Sequence, residues 1–398
     1  MFQCVKAFLA SHLEGKGPLL LGCSGGIDSL ALFHLLVEVR RLISFDLHVA
    51  HIDHGWREES RREAEILKNY IESFAIPFHL HTLAPIETGA NLEDRCRTLR
   101  LEYFSSLQRF YNYQALLLAH HADDQAEVIL KRVCEGAGLH GLGGLREEKR
   151  LGELLIWRPL LPIRKKELVD YLTLKKLTPF DDRTNRDNRF LRARMRTEIF
   201  PELEKSFGKQ IGKNFSQLGE FFQELQEYFH QKILKIQEQL LEGPFGYYLS
   251  LAVPYHPLEM EFFITQLGKK EEAHLSYRAR KTLLYLIQKK APNHQIVASP
   301  LTFIVNGEHL FILRNEFPKE ITKWEKTTER MGWKEFWMGK IYLPDGVESV
   351  LCFDELEEKV KKTIKKKYQS QRIPPFLHSK APIFAINGKW QSPLIEFF

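Results

Sequence analysis

The chain has 398 residues, 44% hydrophobic and 27% charged, with a net charge of +6 and a pI near 8.8. That length predicts one catalytic domain with smaller appendages; no apolar run approaches the ~20 residues that cross a bilayer, and the N-terminus lacks a secretory signal pattern, so a cytoplasmic protein with no membrane partner is expected. The five scattered cysteines, Cys4, Cys23, Cys96, Cys134 and Cys352, show no C-x-x-C spacing and argue against a disulfide framework or a zinc site, while the modest positive charge permits nucleic-acid binding without requiring it.

Residues 18–23 read as a buried strand and 29–42 as a helix, and the alternation repeats. Strands are predicted over 46–51, 78–81 and 114–120, with helices over 58–74, 91–111 and 124–134. Such a β-α series implies a parallel sheet covered on both faces. From about residue 207 the pattern turns to long helices. In 214–241 the residues Phe215, Leu218, Phe222, Leu225 and Phe229 recur at helical spacing and are read as core packing. A helix over 276–290 precedes strands over 301–305 and 309–313, joined by Asn306-Gly307, a hairpin signal. The basic run 359–367 reads equally as a solvated helix face or as a contact for nucleic-acid phosphates.

The first strand ends in Ser24-Gly25-Gly26-Ile27-Asp28-Ser29 and runs straight into a helix. Free backbone N–H groups, two hydroxyls and the positive end of the helix dipole then surround one point, which suits a phosphate. Glycines allow close approach, and Asp28 can hold Mg²⁺ against the phosphate. The lysine-bearing G-x-x-x-x-G-K-[ST] loop is absent.

This loop resembles the S-G-G-x-D-S loop of the PP-loop ATP-pyrophosphatases, which cut ATP between its α- and β-phosphates. Further segments are similar to those of the tRNA(Ile)-lysidine synthetases within that superfamily: His51-Ile52-Asp53-His54-Gly55-Trp56-Arg57 with Ser60, the helix 93–100, and His120-His121-Ala122-Asp123-Asp124-Gln125-Ala126-Glu127. Gly136 to Leu142, Arg158-Pro159-Leu160-Leu161, Asp182-Arg183-Thr184-Asn185, Arg192-Ala193-Arg194-Met195-Arg196, Pro201, and the C-terminal Ile373-Pro374-Pro375-Phe376 and Ala381-Pro382-Ile383 follow in family order. The chain departs from the family pattern at Leu101, Val128, Glu135 and Ala193. The resemblance spans nearly the whole chain and is weakest between about 210 and 330.

The resemblance implies an α/β architecture: a parallel-sheet PP-loop (adenine nucleotide alpha hydrolase-like) catalytic domain over 1–206, a mainly helical tRNA-contacting domain over 207–318, and a small α+β tRNA-binding domain over 329–398. It implies ATP and Mg²⁺ as cofactors, L-lysine and the CAU-anticodon isoleucine tRNA as substrates, and a homodimer as a possible assembly. Ser24, Gly25, Gly26, Ile27, Asp28 and Ser29 would bind the nucleotide. Asp28, Arg97, His121 and Asp123 would act in catalysis, and Asp28 with Asp123 or Asp124 would hold the metal. Arg192, Arg194, Arg196, Lys361 and Lys365 would contact tRNA. His51 and His54 stay undecided between structural and functional roles, and Arg95 is read as structural. A sulfur-transferring PP-loop enzyme would call for paired or catalytic cysteines, which the spacing does not offer; a non-catalytic RNA-binding protein would not need an intact phosphate loop.

Overall fold

The computed structural model describes residues 1–15, 17–53, 58–83, 92–180 and 191–315, and shorter stretches between 325 and 392. Two compact units form, Met1–Glu227 and Tyr228–Phe398.

In the first unit α1 (Phe2–His12), β1 (Leu19–Gly22), α2 (Ile27–Arg40), β2 (Leu47–Asp53), α3 (Glu58–Glu72), β3 (Phe78–Thr82), α4 (Leu92–Tyr111), β4 (Ala115–Leu117) and α5 (Ala122–Cys134) follow in turn. After them come α6 (Leu139–Leu142), the hairpin β5 (Glu148–Leu151) and β6 (Leu154–Trp157), α7 (Lys165–Leu174), α8 (Leu191–Arg194), a π-helical turn (Met195–Ile199), α9 (Phe200–Phe207) and the start of α10 (Ile211–Glu238), whose residues from Tyr228 on belong to the second unit. The strands pair in the order β3-β2-β1-β4-β6-β5, all parallel except β5. The expected parallel sheet is therefore present. One strand of it, β6, lies in a stretch the sequence reading left unassigned, although it is as long as β1.

The leucine run of β1 makes sense once both faces of the sheet are covered. Leu19, Leu21 and Cys23 join Val49, Leu117 and Trp157 in a core completed by α1, α2, α3 and α7. Leu20 turns the other way and packs with Ala50, Ile52, Leu116, Ile156 and Phe104 of α4. Each such aliphatic side chain contributes roughly 1.5–3 kcal/mol on burial.

The chain runs outward from β1 through β2 to β3 and then crosses back to place β4 on the other flank of β1. Strand order reverses between β1 and β4, and a crevice opens beyond their C-terminal ends, where open α/β sheets bind ligands. The predicted strand over 114–120 stops at Leu117, so that His120 and His121 leave the sheet at this crevice. Because His121 becomes the N-cap, α5 starts at Ala122, two residues before the predicted start.

In the second unit an antiparallel sheet pairs as β7-β8-β11-β10-β9, from β7 (Leu241–Gly243), β8 (Gly246–Ser250), β9 (His294–Ala298), β10 (Leu301–Asn306) and β11 (His309–Arg314), with α11 (Pro257–Lys270) and α12 (Tyr277–Gln288). Asn306 pairs with His309, so the hairpin turn is Gly307-Glu308, with Gly307 at φ +61°. The aromatic stripe of α10 is unevenly buried: Leu218 is 36% exposed, whereas Phe229 is buried and stacks on Phe262 at 5.3 Å. The basic run forms a helix, Glu358–Ser370, that buries Ile364 and Tyr368 and exposes Lys362, Lys365 and Lys366. Among the described residues no helix is long and apolar enough to cross a membrane. His54, Gly55, Trp56, Arg57, the 182–185 segment, Cys352, the 373–376 motif and Ala381-Pro382 lie outside the described residues.

Candidate active site

The 24–29 loop leaves the C-terminal end of β1. Gly25 adopts φ +81°, a conformation natural to glycine and strained for other residues. Gly26 caps α2 without a side-chain acceptor, so the amides of the first helical turn are left for a ligand. The hydroxyls knit the loop together: Ser24 Oγ lies 3.1 Å from Ser29 Oγ, and Ser29 Oγ donates to the Gly26 carbonyl at 3.2 Å. Ser29 is buried, and its hydroxyl shapes the loop. His51 donates through Nδ1 to the Cys23 carbonyl at 2.8 Å, which ties β2 to the loop. Its burial lowers its pKa, keeping it neutral.

Asp28 sits on the first turn of α2. Its Oδ2 lies 3.3 Å from Lys165 Nζ and 3.6 Å from His121 Nε2, while its buried Oδ1 has no hydrogen-bond partner. Burial alone would raise the Asp28 pKa, but His121 and Lys165 outweigh it and hold the carboxyl below its ordinary value.

His121 is fully buried at the start of α5. Its amide donates to Asp124 Oδ2 at 3.0 Å, and its Nδ1 meets the Asp123 amide at 3.2 Å. Burial opposes protonation of the ring, yet the carboxylates of Asp123, Asp28 and Asp124 prevail and raise its pKa to about 9. Asp123 is engaged on both oxygens, by the Arg164 guanidinium at 2.8 and 3.2 Å and by the Lys165 amide at 2.8 Å. Asp124 Oδ1 accepts from both Arg192 and Arg196, with Arg196 at 2.7 Å.

Of the three predicted metal ligands, then, Asp28 keeps an oxygen to spare, whereas Asp123 and Asp124 are held by arginines. Among the described residues no three His, Cys, Asp or Glu side chains converge on a metal position. An orphaned buried carboxylate oxygen beside a phosphate loop fits Mg²⁺, which shares its shell with phosphate oxygens.

Arg192 and Arg196 are drawn into the protein. Each bonds both Asp124 and Glu127, with Arg192 Nε 2.7 Å from Glu127 Oε2. The i,i+4 spacing of the arginines and the i,i+3 spacing of the acids put each pair on one helix face, so the group clamps α8 and the π-turn onto α5. Arg194, between them, is exposed. Arg97, exposed in the first turns of α4, lies close enough to Arg158 to depress its pKa. Lys361 pairs with Glu358 at 3.2 Å, and Lys365 is exposed, both on the C-terminal helix. The structure thus gathers the 24–29 loop, Asp28, His121, Asp123 and Asp124 at one crevice.

Sequence reading overlooked Arg164, Lys165 and Phe180. The first two open α7, whose position follows from β6; recognising that strand would have placed a third helix N-terminus at the crevice.

The PP-loop domain family matches residues 3–203. A tRNA(Ile)-lysidine synthase from Protochlamydia amoebophila is 34% identical over 410 residues, covering 95% of this chain and 89% of that one. The chain belongs to the tRNA(Ile)-lysidine synthase family. A tRNA(Ile)-lysidine synthase from Chlamydia pneumoniae is 43% identical over 205 residues, which make up 51% of this chain and 63% of the relative. Among solved structures, the U34-tRNA thiolase NcsA from Methanococcus maripaludis with its 4Fe–4S cluster aligns at TM-score 0.43 and 19% identity, over 55% of this chain and 78% of that one. In this tRNA(Ile)-lysidine synthase family member the family departure Ala193 is buried between the clamp arginines, and Glu135 pairs with Lys131 at 3.8 Å on the exposed end of α5.

Proposed function

We propose that the protein uses ATP to join L-lysine to C2 of the wobble cytidine in the CAU-anticodon isoleucine tRNA. The product is lysidine, which changes decoding from AUG to AUA and tRNA identity from Met to Ile. The observation that carries this reading is the identity running along 95% of the chain to a relative of that name.

In the first step the cytosine O2 attacks the α-phosphorus of ATP and pyrophosphate leaves. In the second the ε-amine of lysine attacks C2 and AMP leaves. The open amides at the start of α2 and the exposed hydroxyl of Ser24 hold phosphate oxygens, as preorganised dipoles at a helix start do, while Ser29 holds the loop in shape. Asp28 would hold Mg²⁺ through its free Oδ1, and that ion would neutralise charge on the departing pyrophosphate. Lys165 adds positive charge at the same point, and His121, whose Nδ1 accepts from the Asp123 amide, turns its Nε2 toward Asp28. Asp123 and Asp124 act through others, Asp123 by fixing Arg164 and the first turn of α7, Asp124 by fixing His121 and the clamp arginines. Arg194, Lys361 and Lys365 remain contacts for tRNA, while Arg192 and Arg196 position α8. The reaction places the enzyme in the cytoplasm, with the tRNA pool.

The test is direct. Purified protein incubated with radiolabelled lysine, ATP and unmodified isoleucine tRNA should put label into RNA, dependent on ATP and on the CAU anticodon. Absence of label would overturn the reading. Asp28→Asn should abolish labelling and leave tRNA retention largely intact.

A further inference from the structure

Arg158 is 4% exposed and both of its hydrogen-bond partners are neutral: Nε donates to His120 Nδ1 at 3.2 Å and Nη1 to the Arg146 carbonyl at 2.8 Å. Among the described residues no carboxylate pairs with it. A buried guanidinium without a counter-charge is costly, and its neighbours add to the cost. In the β5–β6 register Lys149 opposes Ile156, which puts Lys149 on the same face as Arg158 and diagonal to it. That face is the one covered by α4, where Ile156 packs with Phe104. Arg97 lies seven residues before Phe104, on the same side of the helix, and α4 begins at the crevice end of the sheet. Burial and the charge of Arg97 lower the Arg158 pKa to about 10, and burial with Arg158 and Arg97 lowers that of Lys149.

The nearby acids turn away or are already engaged. Glu148 Oε2 accepts from Trp157 Nε1 at 3.1 Å on the opposite face, Glu147 lies toward Cys4 of α1, and Asp124 is committed to the clamp. Three cations therefore converge from three elements, and among the described residues no acid stands with them.

We infer that Arg158, Arg97 and Lys149 form a receptor for a backbone phosphodiester of the RNA substrate. This rests on the function proposed above and names where the RNA enters. The ATP phosphates belong to the α2 side of the sheet, whereas this cluster lies on the α4 side, and the adjacent His120 and His121 face one each. An amino-acid ligand would need a single cation for its carboxylate and an acid for its amine. A polyanion meets several cations at once, and neutralising them on binding recovers the repulsion stored in the free protein.

The experiment measures tRNA affinity against salt concentration for the full chain and for Lys149→Met, Arg97→Met, Arg158→Met and Arg158→Lys. Arg150→Met is the control, because Arg150 points to the opposite face of β5. Loss of one phosphate contact should flatten the slope of log Kd against log salt by about 0.7–0.9 and weaken binding by about five- to twentyfold near 0.1 M salt. Lys149→Met and Arg97→Met should each show this, Arg158→Lys should retain more affinity than Arg158→Met, and Arg150→Met should match the unsubstituted protein. Thermal unfolding identifies an Arg158 variant that fails to fold, in which case the two exposed cations carry the test. Unchanged slopes for both Lys149→Met and Arg97→Met would overturn the inference. So would a raised KM for lysine with tRNA affinity unchanged, which would hand the cluster to the amino-acid carboxylate. If the unsubstituted protein binds tRNA with the expected slope but transfers no lysine, the proposed activity fails and the phosphate receptor stands.

Discussion

Phe180 closes over Gly25: its amide donates to the Gly25 carbonyl at 3.0 Å, and its ring occupies the space that a side chain on Gly25 would need. The phosphate loop is thus held from outside by the segment that follows α7, as well as by its own serines.

Gly25→Ala should suffer twice, from the clash with Phe180 and from the positive φ, which costs an L-residue roughly 1 kcal/mol or more. The KM for ATP should rise by at least about tenfold, since a loop displaced by an ångström no longer aims its amides. Adding Phe180→Ala to Gly25→Ala removes the clash and should recover part of the loss, and steady-state kinetics on the single and double variants check this.

The clamp on α5 predicts a stability effect. Asp124 and Glu127 are nearly buried, and Arg192 and Arg196 neutralise them. Removing one partner from a buried ionic group leaves charge uncompensated, so Arg196→Ala should destabilise the fold by about 3 kcal/mol. Urea unfolding should show a lower midpoint at unchanged slope, while Arg194→Ala, at an exposed position in the same segment, should leave stability unchanged within about 0.5 kcal/mol.

His120 predicts a pH dependence. Burial lowers its pKa to about 3, assisted by Arg158, whose Nε–H points at the unprotonated Nδ1. The folded pKa lies below the unfolded one, so between pH 6.5 and pH 3 the unfolded chain binds a proton that the folded chain does not. Stability is full above pH 6.5 and declines as pH falls. Allowing for the ring's partial exposure, the loss from this residue between pH 7 and pH 5 is about 1 kcal/mol. His120→Gln should lack this component when unfolding midpoints are compared at the two pH values.

Lys165 predicts a selective kinetic defect. Its ammonium stands 3.3 Å from Asp28 Oδ2 at the loop, where the missing P-loop lysine would otherwise bring charge. Lys165→Met should raise the KM for ATP by about tenfold and leave the KM for lysine unchanged, and Lys165→Arg should restore most of the difference.

What the sequence determined by itself was local. The strand-turn-helix at 24–29 needs only neighbouring residues, so the loop, Asp28 on the first turn, and the β-α order were legible from pattern and glycine chemistry. The spacing of Asp124 with Glu127 and of Arg192 with Arg196 likewise shows that each pair shares a helix face. Only the tertiary structure decided which faces meet. It turned Arg192 and Arg196 inward onto Asp124 and Glu127, brought Lys165 to Asp28 across 137 residues of chain, and set Arg158 beside Arg97 and Lys149. The reason is physical: side-chain period reports the orientation of a residue about its own element, whereas its partner is chosen by strand order and crossover. Here both depended on β6, a strand the sequence reading left unassigned.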